Sequence, residues 1–204
     1  MAIRFVSKAT VKNKLVRSSN VWDGTAVYNP FTLVGNYDAL ATITVAAGGL
    51  SSITFAGIPQ TGYNHLQIRL LARTNRAASG DYISGKFNSD SGANYSYHGL
   101  VGTGAAASAY AGTSASFLDI ERIAGNSASA NVFGIVIVDI LDYTNTNKYK
   151  TIKSLGGFDS NGSGEIQLDS GSWRNTNAVT SINLVPGIGT SFLEYSQFAL
   201  YGVK

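Results

Sequence analysis

Residues Ala130 to Gly157 read ANVFGIVIVDILDYTNTNKYKTIKSLGG: a long apolar run, a polar turn and a second, alternating run. Ile135, Val136, Ile137 and Val138 are β-branched, which restricts their rotamers in a helix but suits a pleated surface, and no capping signal precedes them. The run is expected to be a buried strand. Asp142, Thr144, Asn145, Thr146 and Asn147 then supply short polar side chains that bond their own backbone and tolerate turns. Beyond them Tyr149, Thr151 and Lys153 alternate with Lys150, Ile152 and Ser154, which predicts a hairpin with Ile152 facing inward.

Working outward, β-like runs recur at short intervals: Ala39 to Val45, Ser52 to Phe55, His65 to Arg73, Tyr82 to Phe87 and Phe117 to Ile123 before the hairpin. Gly164 to Leu168, Val179 to Leu184 and Ser191 to Val203 follow it. Turn clusters such as Ala47-Gly48-Gly49 and Ser160 to Gly164 separate them, and no window sustains the apolar spacing of a long helix. The expected fold is all-β, a jelly-roll-like antiparallel β-sandwich preceded by a short N-terminal hairpin arm. The arm is assigned to residues 1–30 and the sandwich to 31–204. Gly102 to Ser116, GTGAAASAYAGTSAS, is read as a surface loop or a weak edge strand.

Charged residues make up only 13% of the chain, so its surface is neutral and rich in hydroxyls. Cysteine is absent, which leaves no disulfide framework, thiolate metal site or cysteine nucleophile. The formal charge of +3 is unevenly placed. Arg4, Lys8, Lys12, Lys14 and Arg17 stand against Asp23 alone in the first 30 residues, a local +4 that leaves −1 for the rest. Such an arm suits docking on an acidic partner surface, with Trp22 at its turn as an anchor. Neither a nucleic-acid partner nor membrane insertion is expected: the body shows no basic stripe interleaved with aromatics, and no apolar run is long enough to span a bilayer.

Candidate sites are sparse. Only His65 and His98 are histidines, and neither lies in a ligand-spaced pair. Asp159-Ser160-Asn161-Gly162-Ser163-Gly164 resembles the start of a calcium loop, but Ser170 stands where the bidentate glutamate belongs. Asp159, Asn161 and Glu165 are the one candidate ion site, for Ca²⁺, and no other cofactor is expected. Asp119 with Glu121, and Asp139 with Asp142, are paired carboxylates, read as solvated strand faces or structural ion pairs because no cleft accompanies them. Lys148 and Lys150 are read the same way. Tyr82, Tyr95, Tyr97, Tyr110 and Trp173 are placed in or beside loops. Tyr82, Tyr95, Tyr97, His98 and Trp173 are the candidate glycan contacts, with a core role for Trp173 as the competing reading.

The body resembles a family of tailed-phage virion proteins whose β domain recurs on small tail, fibre and head-surface components. The matching pieces begin with Ile53-Thr54-Phe55-Ala56-Gly57-Ile58-Pro59, Tyr63-Asn64-His65-Leu66-Gln67-Ile68-Arg69 and Phe87 to Tyr95. Asp139 to Tyr143 with Lys148 to Thr151, Ser172 to Thr176, Ala178 to Ile182 and Phe198 to Val203 complete them, so the likeness spans about residues 38 to 203. The arm, through Asn13 to Gly24, is also similar to hairpins of phage adhesion and tail proteins. The resemblance implies a virion component, made in the host cytoplasm, that assembles with other capsid or tail proteins and as a homo-oligomer, a trimer being favoured. It implies no catalytic residues, and no enzyme activity is expected. The expected function is a structural virion protein, a capsid decoration, head fibre or tail component; the alternative is an adhesin binding host-surface polysaccharide.

Overall fold

The computed structural model describes residues 36–204. The expected docking arm, with Arg4, Lys8, Lys12, Lys14, Arg17 and Trp22, lies outside the described residues, and the chain divides after Asp38. The strands run in the order β1 (Tyr37–Thr44), β2 (Ile53–Phe55), β3 (His65–Ala72), β4 (Gly80–Phe87), β5 (Tyr95–Gly102) and β6 (Ala107–Ala115). Then come β7 (Leu118–Ala124), β8 (Gly134–Leu141), β9 (Lys150–Asp159), β10 (Gly164–Trp173), β11 (Ile182–Pro186) and β12 (Gln197–Val203). No helix occurs among the described residues.

The strands form a β-sandwich of unequal sheets: an eight-stranded sheet ordered β1-β12-β3-β8-β9-β10-β5-β6 and a four-stranded sheet ordered β2-β11-β4-β7. Pairing of β8 with β9 aligns Ile140 with Ile152 and Ile137 with Leu155, so the hairpin read from the sequence is the centre of the larger sheet. Its first strand is not buried throughout. Val136, Val138 and Ile140 enter the core, whereas Ile135, Ile137 and Leu141 project from the opposite face into solvent. Alternation sends successive side chains to opposite faces, and here both sets are apolar, which hides the period from the sequence.

The inward rows of both sheets make one core, in which Trp173 meets Phe87 edge-on at 5.6 Å between ring centroids and Phe192 meets Phe198 at 4.8 Å. β5 is the element that periodicity missed, and β6 is the weak edge strand, one of the two readings of its segment. Gly102 to Ser116 contains an edge strand, Ala107–Ala115, and the residues around His98 form a second strand rather than a loop. Two glycines explain their composition. Tyr110 lies directly across from Gly99, and Tyr97 across from Gly112, and a Cβ at either glycine would enter the facing ring. The glycines give each aromatic ring a bare patch of backbone to lie on, at the price of weak strand propensity.

Lys150 corrects another expectation. It is wholly buried, and its ammonium donates to the carbonyls of Asn145, Lys148 and Thr176 at 2.6–3.1 Å, tying the β8–β9 turn to the segment after β10. Burial, and secondarily the charge of Lys148, lower its pKa. Asp139 and Asp142 are paired as expected: Asp139 accepts from Gln67 at 2.7 Å and faces Lys153 at 3.5 Å, and the Asp142 carboxylate binds Lys148 while its backbone amide donates to His65 Nδ1 at 2.9 Å.

Candidate functional site

The five candidate glycan contacts do not form one site. Trp173 and Tyr95 belong to the core, exposed by 1% and 0%, because they lie on inward positions of β10 and β5 rather than in loops. The Trp173 indole N–H donates to Asp90 at 2.7 Å, holding that carboxyl below its usual range, and the Tyr95 hydroxyl accepts from the Phe87 amide at 3.1 Å. Desolvation pushes Tyr95 up to about 12. Tyr82, on β4, lies beneath the Arg122 guanidinium, 4.7 Å from the ring centroid. Tyr97 points inward beside Tyr110, and His98, next in the strand, points outward. Neither aromatic with a full indole or phenol in the core can meet a sugar at the surface.

Asp159, Asn161 and Glu165 are also kept apart. Asp159 accepts the Asn161 amide at 2.7 Å in a tight turn, an ordinary use of aspartate there. Glu165 lies opposite Phe158 in the ladder and so shares its inward face, whereas Asp159, next along β9, turns the other way. Glu165 meets Arg122 at 2.6 Å. Among the described residues no group of three His, Cys, Asp or Glu side chains is arranged to hold a metal ion.

Asp119 and Glu121 are not solvated, contrary to expectation. Both belong to β7, where they face Glu165, Gln167 and Asp169 of β10 across the interior at the end of the sandwich that β6 closes. The Tyr110 hydroxyl donates to Asp169 at 2.6 Å and accepts from Gln167, whose amide also reaches Asp169 at 2.5 Å. Burial, with the charge of Asp169 second, raises Asp119 to about 6. Burial raises Glu121 to about 9 despite an amide bond from Arg122, with Asp169, Asp119 and Glu165 adding to the rise. Glu121 therefore keeps its proton at neutral pH. Oxygen atoms of Asp119, Glu121 and Gln167 are buried without a hydrogen-bond partner.

The outward face of the eight-stranded sheet carries the most extensive feature. Ladder register lines up Ile137, Leu155, Leu168, Leu100 and Ala109 as one lateral row from β8 to β6. A neighbouring row runs from Leu71 through Ile135, Gly157 and Ile166 to Gly102. Seven of these side chains are large aliphatics left 40–62% exposed. They leave on the order of 600 Å² of apolar surface in water, the top of the range for the largest patch on a monomer. Strand spacing makes the band about 24 Å long across six strands.

The band has relief. A groove of about 640 Å³ has Ile135, Ile137, Leu155 and Ile166 among its walls and Gly102 and Gly157 among its floor residues. A second, of about 540 Å³, runs beside Leu168 and Leu100 past Lys153, Ser170 and His98. Gly157 is required where it is: its φ of +148° and the nearby Glu165 carbonyl leave no place for a Cβ, so the ladder itself makes the dent. Sequence reasoning missed this face, to which β8 contributes Ile135 and Ile137 from its apolar run. Compared with known proteins, the chain matches no family model, no curated protein and no solved structure.

Proposed function

We propose that the chain is a non-enzymatic structural subunit of a tailed-phage virion, a capsid decoration, head fibre or tail component built on a jelly-roll-like sandwich. The observation that carries the assembly role is the apolar band on the outward face of the larger sheet. A chain with so few charges that leaves this much aliphatic surface uncovered is suited to a packed assembly. The resemblance of residues 38 to 203 to virion β domains supports the setting, and the +4 arm supports docking on an acidic neighbour. The glycan-binding alternative loses Tyr95 and Trp173 to the core, so no observation favours it.

The test is incorporation. Arg4, Lys8, Lys12, Lys14 and Arg17 are replaced together by glutamate in the full chain, and purified particles are probed by quantitative mass spectrometry. Wild-type chain should copurify with particles at fixed stoichiometry, and the charge-reversed chain should fall at least tenfold. Absence of the wild-type chain from particles would overturn the virion role; equal incorporation of both would overturn docking through the arm.

A further inference from the structure

We infer that the apolar band is the contact between two copies of this chain, packed sheet against sheet about a two-fold axis. The inference deepens the structural-subunit reading and rests on it, naming a second copy as the partner of that face.

Four observations support a second copy. The first is area: about 600 Å² of aliphatic surface, with the small side chains between, approaches the roughly 800 Å² that each partner contributes to a stable interface. The second is charge. Asp139 and Lys153 beside the band are 3.5 Å apart and neutralise each other, and the other charges at its border, Arg69 across from Ile137 and Asp159 at the first groove, are of opposite sign, so the face carries no block of like charge. The third is relief. Leu155, Leu168 and Leu100 form a ridge with a groove on each side, and a copy rotated by a half-turn offers the same ridge to the same grooves. Aligned sheets in sandwiches interdigitate in this way, about 10 Å apart.

The fourth is pattern. Continuous apolar strands belong to sheets covered on both faces, and β8 is such a strand with one face covered. A single band closed on itself is what an isologous pair uses. A three-fold ring would need two different complementary patches on each copy, so the inference replaces the trimer implied by the resemblance with a pair.

The experiment exploits the lack of cysteine. Ser170→Cys places a single thiol at the edge of the band, and the full chain at about 10 μM is treated with a bis-maleimide of about 10 Å reach. Cross-linked dimer should form in more than half of the chains. Ile135→Asp with Ile166→Asp, added to Ser170→Cys, should reduce the dimer at least tenfold while circular dichroism and the melting transition stay cooperative. Absence of dimer in the parent, dimer that survives both aspartates, or an untreated chain that sediments at more than twice the mass of one chain would each overturn the pair. Dimer formation by a chain absent from particles would uphold the pair and overturn the virion role. A monomeric chain that incorporates normally would do the reverse, leaving the band to a different virion protein or to the chain's own first 35 residues.

Discussion

Glu121 shows how a single residue can be legible in type and misread in place. Alternation would put Glu121 and Asp119 on one side of β7, but the register shifts between them, with Glu121 opposite Ile83 and Asp119 opposite Ser84, and alternation does not say which side faces water. The neighbouring Arg122 does not form an ion pair with Glu121: that arginine pairs with Glu165 and covers Tyr82. The consequence is a pH dependence of unusual sign. Glu121 has a folded-state pKa of about 9 against an ordinary 4.5, so the folded chain retains a proton that the unfolded chain releases between those values. Stability from this group is therefore full below about 4.5 and declines as pH rises towards 9. Asp119 acts with the same sign between 3.8 and about 6. Urea unfolding of the wild type should lose at least about 1 kcal/mol between pH 5 and pH 8, and Glu121→Gln should flatten that slope. A wild type that gains stability over the same range would show that Glu121 is ionised in the fold.

At the scale of elements, the strands most visible in the sequence are those whose propensity and pattern agree. β3, β8, β9, β11 and β12 are rich in β-branched or large apolar residues, and their runs were found with ends shifted by a few residues. β5 and β6 were obscured because glycine, alanine and serine fill positions where the facing strand supplies a ring. Their stability is expected to depend on those ring-over-glycine contacts. Gly112→Val forces Tyr97 off its seat and should cost about 1–3 kcal/mol, the usual penalty of overpacking. Hydrogen exchange should show the loss as faster exchange of β6 amides while β8 and β9 remain protected. Uniform acceleration across all strands would mean that β6 is part of the cooperative core, and unchanged exchange would mean that the Tyr97 contact carries no weight. The aromatic candidates failed for a related reason: Tyr95 was placed beside a loop because β5 was not seen, and Trp173 because the run read from Gly164 to Leu168 stops short of the end of β10.

At the scale of the molecule, the body carries a formal −1 and the first 30 residues +4, a division that composition alone revealed. The outward band was not legible, because in one strand read alone an uncovered apolar face and a core face look identical. Only the register of β3, β8, β9, β10, β5 and β6 joins Leu71, Ile135, Leu155, Ile166, Leu168 and Leu100 into a surface. The most direct test of that surface as an assembly contact is sedimentation equilibrium of the unmodified full chain from about 1 to 100 μM. The account predicts a mass rising to twice the 21.4 kDa of one chain, lost in Ile135→Asp with Ile166→Asp. A single-chain mass across the whole range would contradict it.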